Sequence, residues 1–324
     1  MGRPPSRICS DSPSARWACD VPTILRSWRD YILKMFSGDT NGVPDWVVAM
    51  EDGDDAGYFG SGSAVWEVHG GLPVLIAGMR ALLMQTLHPG AMAGVHDWSR
   101  YKEDPLGRLS GTVRWVLTTS FGTREQAEQA SAFVGRLHTR VTGTYRNAKG
   151  EEIAYSAADP ELLRWVHVVF AEAFLTCHQQ WAGKIPGGAD EYVAEWAAAG
   201  DLMGVENPPR SEKELRDQLA AFGPVLVGDE RVAEAVHFIR HPPLRRSIMP
   251  GYRIIFAGAV ASLEPQYRRM LGVRRVWWPA ITLTGVLLRI LGRLLGRPSE
   301  SEIYSRRRLA KIAARGSGGA RVDG

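Results

Sequence analysis

Apolar residues recur along most of this chain at steps of three and four, the spacing that gathers them on one face of an α-helix. Leu75, Met79, Leu82, Leu83 and Leu87 predict a strongly buried helix, with Pro73 suited to its start and His88-Pro89 to its stop. Leu106, Leu109, Val113, Val116 and Leu117 predict a second, from Asp104-Pro105 to Phe121-Gly122. Thr123 followed by Gln126 reads as a capping box. Beyond it Ala127, Ala130, Val134, Leu137 and Val141 form one face of a helix expected at the centre of the fold. Gly143 to Tyr155 reads as a polar turn. Asp159 as cap and Pro160 at the first helical position open a helix that carries Leu163, Val166, His167, Phe170, Phe174, Cys177 and Trp181 on one side. Further helices are expected at 23–37, 189–203, 211–222, 229–239, 250–272 and 279–296. No run alternates apolar and polar residues over the length of a strand, and there is no Asn-Gly hairpin signal. The pattern predicts an all-α fold, a helical core with additional helices in a single domain.

Composition divides the chain in three. Residues 1–22 are rich in Pro, Ser and Arg and read as disordered. Residues 23–272 hold the expected helical domain, and 45% hydrophobic residues over 324 positions suffice for a large core. Residues 273–324 read as a basic amphipathic helix followed by a disordered tail. The overall charge is +4, yet residues 274–324 alone carry +8, so the rest sums to −4. The basic character therefore belongs to the tail, and no base-reading fold accompanies it, so nucleic acid is not an expected partner. Cys9, Cys19 and Cys177 are too few and too scattered for a disulfide framework or a thiolate zinc site. This usage predicts a reducing, cytoplasmic setting. No run reaches the length of uncharged apolar residues that a spanning helix needs.

Nucleotide-binding glycine loops, HExxH and GxSxG are all missing from the sequence. The candidate chemistry therefore rests on histidines at helical positions. His138 follows Val134 by four and precedes Val141 by three, which puts its imidazole beside the apolar stripe. A buried imidazole needs a partner. His138 is accordingly either a core histidine bonded to a carbonyl or a ligand to a metal or haem iron. His167 sits on a buried face in the same way. Arg108 and Thr112 are four apart on one helical face. His88 reads as a structural cap, and Cys177 as a small core residue.

The segments LLMQTLHPGAMAGV, DPLGRL, SFGT, RLHTRVTGTY and YSAADPELLRWVHVVF follow one another in the order and spacing of one family. In these segments the chain resembles the oxygenases that include latex-clearing protein (rubber oxygenase) and the fungal MpaB-type oxygenase. The likeness is good from about Gly60 to Gly204 and thinner to about residue 270. It implies a globin-like helical core holding haem b. It also implies oxidation of a small hydrophobic, isoprenoid-like substrate by dioxygen, with cleavage of a C=C bond in the rubber oxygenases. In the same resemblance Arg108 and Thr112 match an Arg-x-x-x-Thr pair near the reacting centre. His138 stands in the position of the iron ligand, and His167 matches a second histidine on the later helix. Arg108 either pairs a haem propionate or a polar substrate group, or forms an ordinary salt bridge. Rubber oxygenases carry a lysine just before the threonine, where this chain has Gly111. A different distal chemistry and a different substrate follow from that departure.

Arg289, Arg293 and Arg297 recur every four residues among Leu287, Leu288, Ile290, Leu291, Leu294 and Leu295. Two readings stand. Residues 274–311 make a peripheral contact with an anionic membrane, or the helix docks on the domain. The alternative to the oxygenase is a haem-free helical protein that binds lipid or a membrane surface.

Overall fold

A computed structural model describes residues 43–98, 105–295 and 299–319. The expected disordered segment 1–22 and the helix at 23–37 lie outside the described residues. Fourteen α-helices and one small sheet make up what is described. The short α1 (Asp45–Val48) is followed by α2 (Ala64–Gly70), α3 (Val74–Gln85) and α4 (Pro89–Trp98). Next come α5 (Pro105–Phe121) and α6 (Arg124–His138), then strands β1 (Thr142–Arg146) and β2 (Glu152–Ser156). The long α7 (Pro160–Trp181) leads to α8 (Gly188–Leu202), α9 (Glu212–Ala221) and α10 (Glu230–Arg240). The chain ends in α11 (Met249–Ser262), α12 (Pro265–Met270), α13 (Ala280–Leu295) and α14 (Glu300–Gly319). One continuous apolar cluster runs from Met50 to Leu288. The fold is all-α in class, as the periodicity predicts.

The centre is α7, not α6. From Trp165 onward α7 is buried almost all round, with Trp165, Val168, Val169, Ala173 and Cys177 inaccessible. A helix apolar on every side belongs inside a domain. Helix α3 lies along it and contributes Ile76, Leu83 and Met84, with Leu87 just beyond its end. On α6 only Ala127 and Ser131 are fully covered. The expected stripe is half-buried at Ala130 and Val134, and Leu137 is exposed. A buried ion pair pins the central helices together. Arg80 on α3 reaches Glu172 on α7 twice, at 2.5 and 3.0 Å, and also donates to the backbone oxygen of Ser262 on α11. Losing one partner of such a pair costs about 3–5 kcal/mol, because the other charge is left buried alone.

Three expectations are corrected. The turn at 143–155 is an antiparallel hairpin in which Tyr145 lies opposite Ile153. It stays two-stranded and polar, with only Tyr155 buried against Ala93 and Leu162. The helix expected at 250–272 breaks at Leu263, because Pro265 lacks an N–H and restarts the chain as α12. The tail, read as disordered, is helical from Glu300 to Gly319 and docked on the domain. Arg308 holds it there. Its guanidinium is fully buried and donates to the carbonyl oxygens of Met50, Asp55, Phe121 and Gly122 at 2.6–3.1 Å.

Helix α13 is docked as well. It packs on α11 at Gly258, where a Cβ would come within 2.4 Å of Thr284 Oγ1, so only glycine permits the crossing. Trp181 Nε1 donates to the Ile281 carbonyl at 3.1 Å. No described helix is long and apolar enough to cross a membrane.

Candidate functional site

Helices α5 and α6 form an antiparallel pair joined through Gly122 and Thr123. The capping box that the sequence predicts is present, with Thr123 Oγ1 accepting from Gln126 N at 3.1 Å and Gln126 Oε1 accepting from Thr123 N at 3.0 Å. A cross-link fixes the register of the pair, since Trp115 Nε1 donates to Ser131 Oγ at 3.0 Å. Arg108 stands seven residues before Trp115, and His138 seven residues after Ser131. Equal rise along both helices therefore brings these two positions to one level of the hairpin, about two turns from the cross-link. Gly111 and Gly135 pair in the same manner, four residues from the cross-link on each helix. A Cβ at either glycine would meet nothing within 4 Å, so space is open beside both.

His138 closes α6. It is half-buried, and its Nδ1 is buried without a hydrogen-bond partner among the described residues. Burial depresses its pKa and holds the ring in the neutral form that binds a metal. Along both helices of the pair the apolar side chains are poorly covered. Leu109, Val113 and Leu117 on α5 are half-buried, as are Ala130 and Val134 on α6. Phe133 is 56% exposed and Leu137 44%. Thr112 is exposed on α5, and the side chain of Arg108 lies outside the described residues.

His167 is deeply buried on α7, and burial lowers its pKa to about 4. Its Cε1–Nε2 edge lies against Gly200 near the end of α8, where a Cβ would come within 3.1 Å of both atoms. Among the described residues no hydrogen bond joins His167 to His138 or Thr112. The hairpin register thus sets Arg108 and His138 at one level, with Gly111 and Thr112 within about one turn of it along α5, while the contacts of His167 run toward α8. Cys177 is a core residue whose thiol burial pushes up to about 12, so it offers no thiolate. His88 caps the next helix as expected, with Nδ1 accepting from Gly90 N at 3.2 Å.

Sequence reasoning missed His69. It is fully enclosed on α2, with Nδ1 2.7 Å from Ser120 Oγ and Nε2 3.1 Å from Tyr192 OH. Phe174 and Trp196 meet its ring edge-on, at centroid distances of 5.0 and 4.4 Å. Burial, helped by the nearby His178, lowers its pKa to about 3. The signal was present, since His69 follows Val65 and Trp66 by four and three on one buried face. With both nitrogens bonded, it organises the packing of α2, α5 and α8. Among the described residues no group of three or more His, Cys, Asp or Glu side chains could hold a bare metal ion. A haem needs only one imidazole from the protein, so this does not bear on His138.

The catalytic-domain family described as ER-bound oxygenase mpaB/B′/rubber oxygenase matches residues 66–297. No curated protein and no solved structure matches the chain. The family match starts within α2 and ends just past α13. It takes in both α5–α6 and α7 and leaves out the docked α14. Covering well over half of the sequence, it shows that the chain belongs to the oxygenase family of mpaB/B′ and rubber oxygenase catalytic domains, and so to a family of oxidoreductases.

Proposed function

We propose that the chain is a haem b-dependent oxygenase that acts with dioxygen on a small hydrophobic, isoprenoid-like substrate. The observation that carries this reading is the imidazole of His138. It is neutral, half-buried and unpartnered at Nδ1, and it ends a helix whose apolar side chains lack full protein cover. The residues fit the group. A b-type haem wants one neutral imidazole from a helix and an apolar wall for its ring. The open space beside Gly111 and Gly135 leaves room for a flat macrocycle against both helices. When bound, haem b supplies the iron at which dioxygen is activated for oxidation of an alkene, by C=C cleavage or a related reaction.

Each residue has a part. His138 ligates the iron. Arg108, level with His138 across the hairpin, pairs with a propionate or a polar substrate group, a task its planar fork suits. Thr112 offers a hydroxyl, one turn along α5 from Arg108. Gly111, where rubber oxygenases carry lysine, brings no cation to this face, which favours a substrate other than rubber. Leu109, Val113, Val134 and Leu137 keep the surroundings apolar and exclude water. His167 is a positioning residue in the core, packed against Gly200 of α8.

Purified chain should bind haem at about one iron per chain with a strong Soret band. His138→Ala should abolish or greatly weaken that binding, whereas His167→Ala should retain haem with an altered spectrum. Colourless, iron-free protein that hemin does not reconstitute would overturn the proposal. So would a His138→Ala variant that holds haem as the unmodified chain does. In that event the second reading, a haem-free protein that binds lipid or a membrane surface, takes over, and the basic cleft described next is compatible with both readings.

A further inference from the structure

A cleft of about 720 Å³ opens between the end of α10, α11 and the segment that links α12 to α13. Arg240, Arg253, Arg274 and Arg275 line it, and no acidic residue does. All four arginines are exposed, and the ion pairs among the described residues leave them unmatched. The floor is apolar, with Phe256 and Val260 buried beneath. On the rim Val276 is 38% exposed, Trp277 54% and Trp278 89%. On α13 the exposed Val286, Arg289, Ile290 and Arg293 repeat the mixture on the side turned away from α11.

The occupant must satisfy both halves of this surface. Four unmatched guanidinium groups call for phosphate or carboxylate oxygens. Two bared indoles call for a partly apolar boundary, and tryptophan favours the bilayer interface. A free phosphate makes no use of the indoles. A second copy of the chain would set arginines against arginines across a two-fold axis. The tail arginines expected to provide the positive surface do not. Arg308 is buried, Arg306 pairs with Glu302, and Arg307 and Lys311 pair with Glu51.

We propose that this cleft docks the chain on an anionic membrane leaflet. A phospholipid phosphate is held among Arg240, Arg253, Arg274 and Arg275, with Trp277 and Trp278 at the level of the head groups. The proposal is independent of the haem assignment, and its test reads no haem property.

The test is co-sedimentation of the full chain with vesicles of phosphatidylcholine alone or mixed with phosphatidylserine. Binding is expected only to the mixed vesicles, weakening as salt rises. Arg274→Gln with Arg275→Gln should lower partitioning about 25-fold, at roughly fivefold per arginine near an anionic surface. Trp277→Ser with Trp278→Ser should lower it without any change in charge. Lys213→Gln with Arg216→Gln removes two charges from α9 and should leave binding unchanged. All six residues are exposed, so the helical circular dichroism should persist. Should either cleft double variant lose it, quenching of tryptophan fluorescence by brominated lipid, compared with Trp278→Ser alone, decides the matter. Equal binding to neutral vesicles, or an equal loss in the α9 control, would overturn the proposal. So would saturable binding of inorganic phosphate or of a single-stranded oligonucleotide with no vesicle binding.

Discussion

His69 and His167 are enclosed as neutral rings, and that makes the folded chain sensitive to acid. Burial lowers their pKa values to about 3 and about 4, against an ordinary value of 6.5. Unfolding returns both to water, where they take up protons below pH 6.5. The unfolded state then binds more protons than the folded one, so stability falls as pH falls through that window. Each ring contributes about 1.4 kcal/mol per pH unit. From pH 7.5 to 5 the pair should remove about 4 kcal/mol of unfolding free energy. Glu195, whose carboxyl burial raises, works in the opposite sense at the lower end. Burial lowers His88 and His138 as well, so they add to the slope. Urea unfolding followed across this range checks it, and His69→Gln should remove the share of one ring, about 2 kcal/mol between pH 7.5 and 5. A stability that stays flat between pH 7.5 and 5 would show that neither ring is held neutral by the fold. His138 and His167 were legible as histidines on helical faces. Their different cover, half-buried for His138 and nearly complete for His167, was not, because spacing places a side chain on a face without saying what covers that face.

At the scale of elements, chain chemistry fixed boundaries better than positions. Thr123 with Gln126 and Asp159-Pro160 begin helices where the sequence expects them, the first by its capping box and the second through Pro160 at the first position. The Asp159 side chain accepts from Ser156 N and not from its own helix, and Pro265 instead breaks a helix expected to run through it. The hairpin escaped notice because β1 and β2 bury almost nothing, so no alternation of apolar residues marks them. Helix α14 escaped for a different reason. Its buried residues include Ser301, Ser305 and Arg308, which a search for apolar periodicity passes over. Ser305 Oγ donates at 2.6 Å to the Phe121 carbonyl, one of the four that Arg308 serves. Arg308→Met keeps much of the volume but removes the guanidinium donor from the oxygens of Met50, Asp55 and Gly122, while that of Phe121 keeps Ser305. It should cost about 3 kcal/mol or more, at 1–3 kcal/mol for each buried group left unsatisfied. Arg315→Met, on the exposed part of the same helix, should cost less than about 0.5 kcal/mol. Urea midpoints of the two variants make the comparison, and equal values would mean that α14 is not anchored through Arg308. The anchoring also sets what truncation at residue 274 should do. Removal of α13 and α14 uncovers Gly258, Trp181 and the carbonyls at 121–122, so it destabilises the domain.

Across the whole molecule, cover is uneven, and the uneven part is where the proposed chemistry lies. The α3–α7 pair is closed on all sides, with Ile76, Leu83, Met84, Trp165 and Val169 inaccessible. Against this core α5 and α6 present a wall whose outer residues, Phe133 and Leu137, stand about half in water. Local opening is easiest where few apolar contacts hold an element down. In the haem-free chain, amide hydrogens of 128–138 should therefore exchange well before those of 76–84 and 165–175, although both stretches are regular helix. A group that fills the space beside α5 and α6 adds contacts only there, and it stabilises the chain by mass action on the folded state. Adding hemin should slow exchange in 109–117 and 128–138 far more than in α3 or α7. His138→Ala should remove that selectivity and leave the exchange of α3 and α7 as it was. Exchange measured by mass spectrometry on peptides from the four helices decides the matter. Equal protection of α6 and α7 without hemin would contradict the uneven cover. A uniform change on its addition would place the haem elsewhere than on the α5–α6 wall.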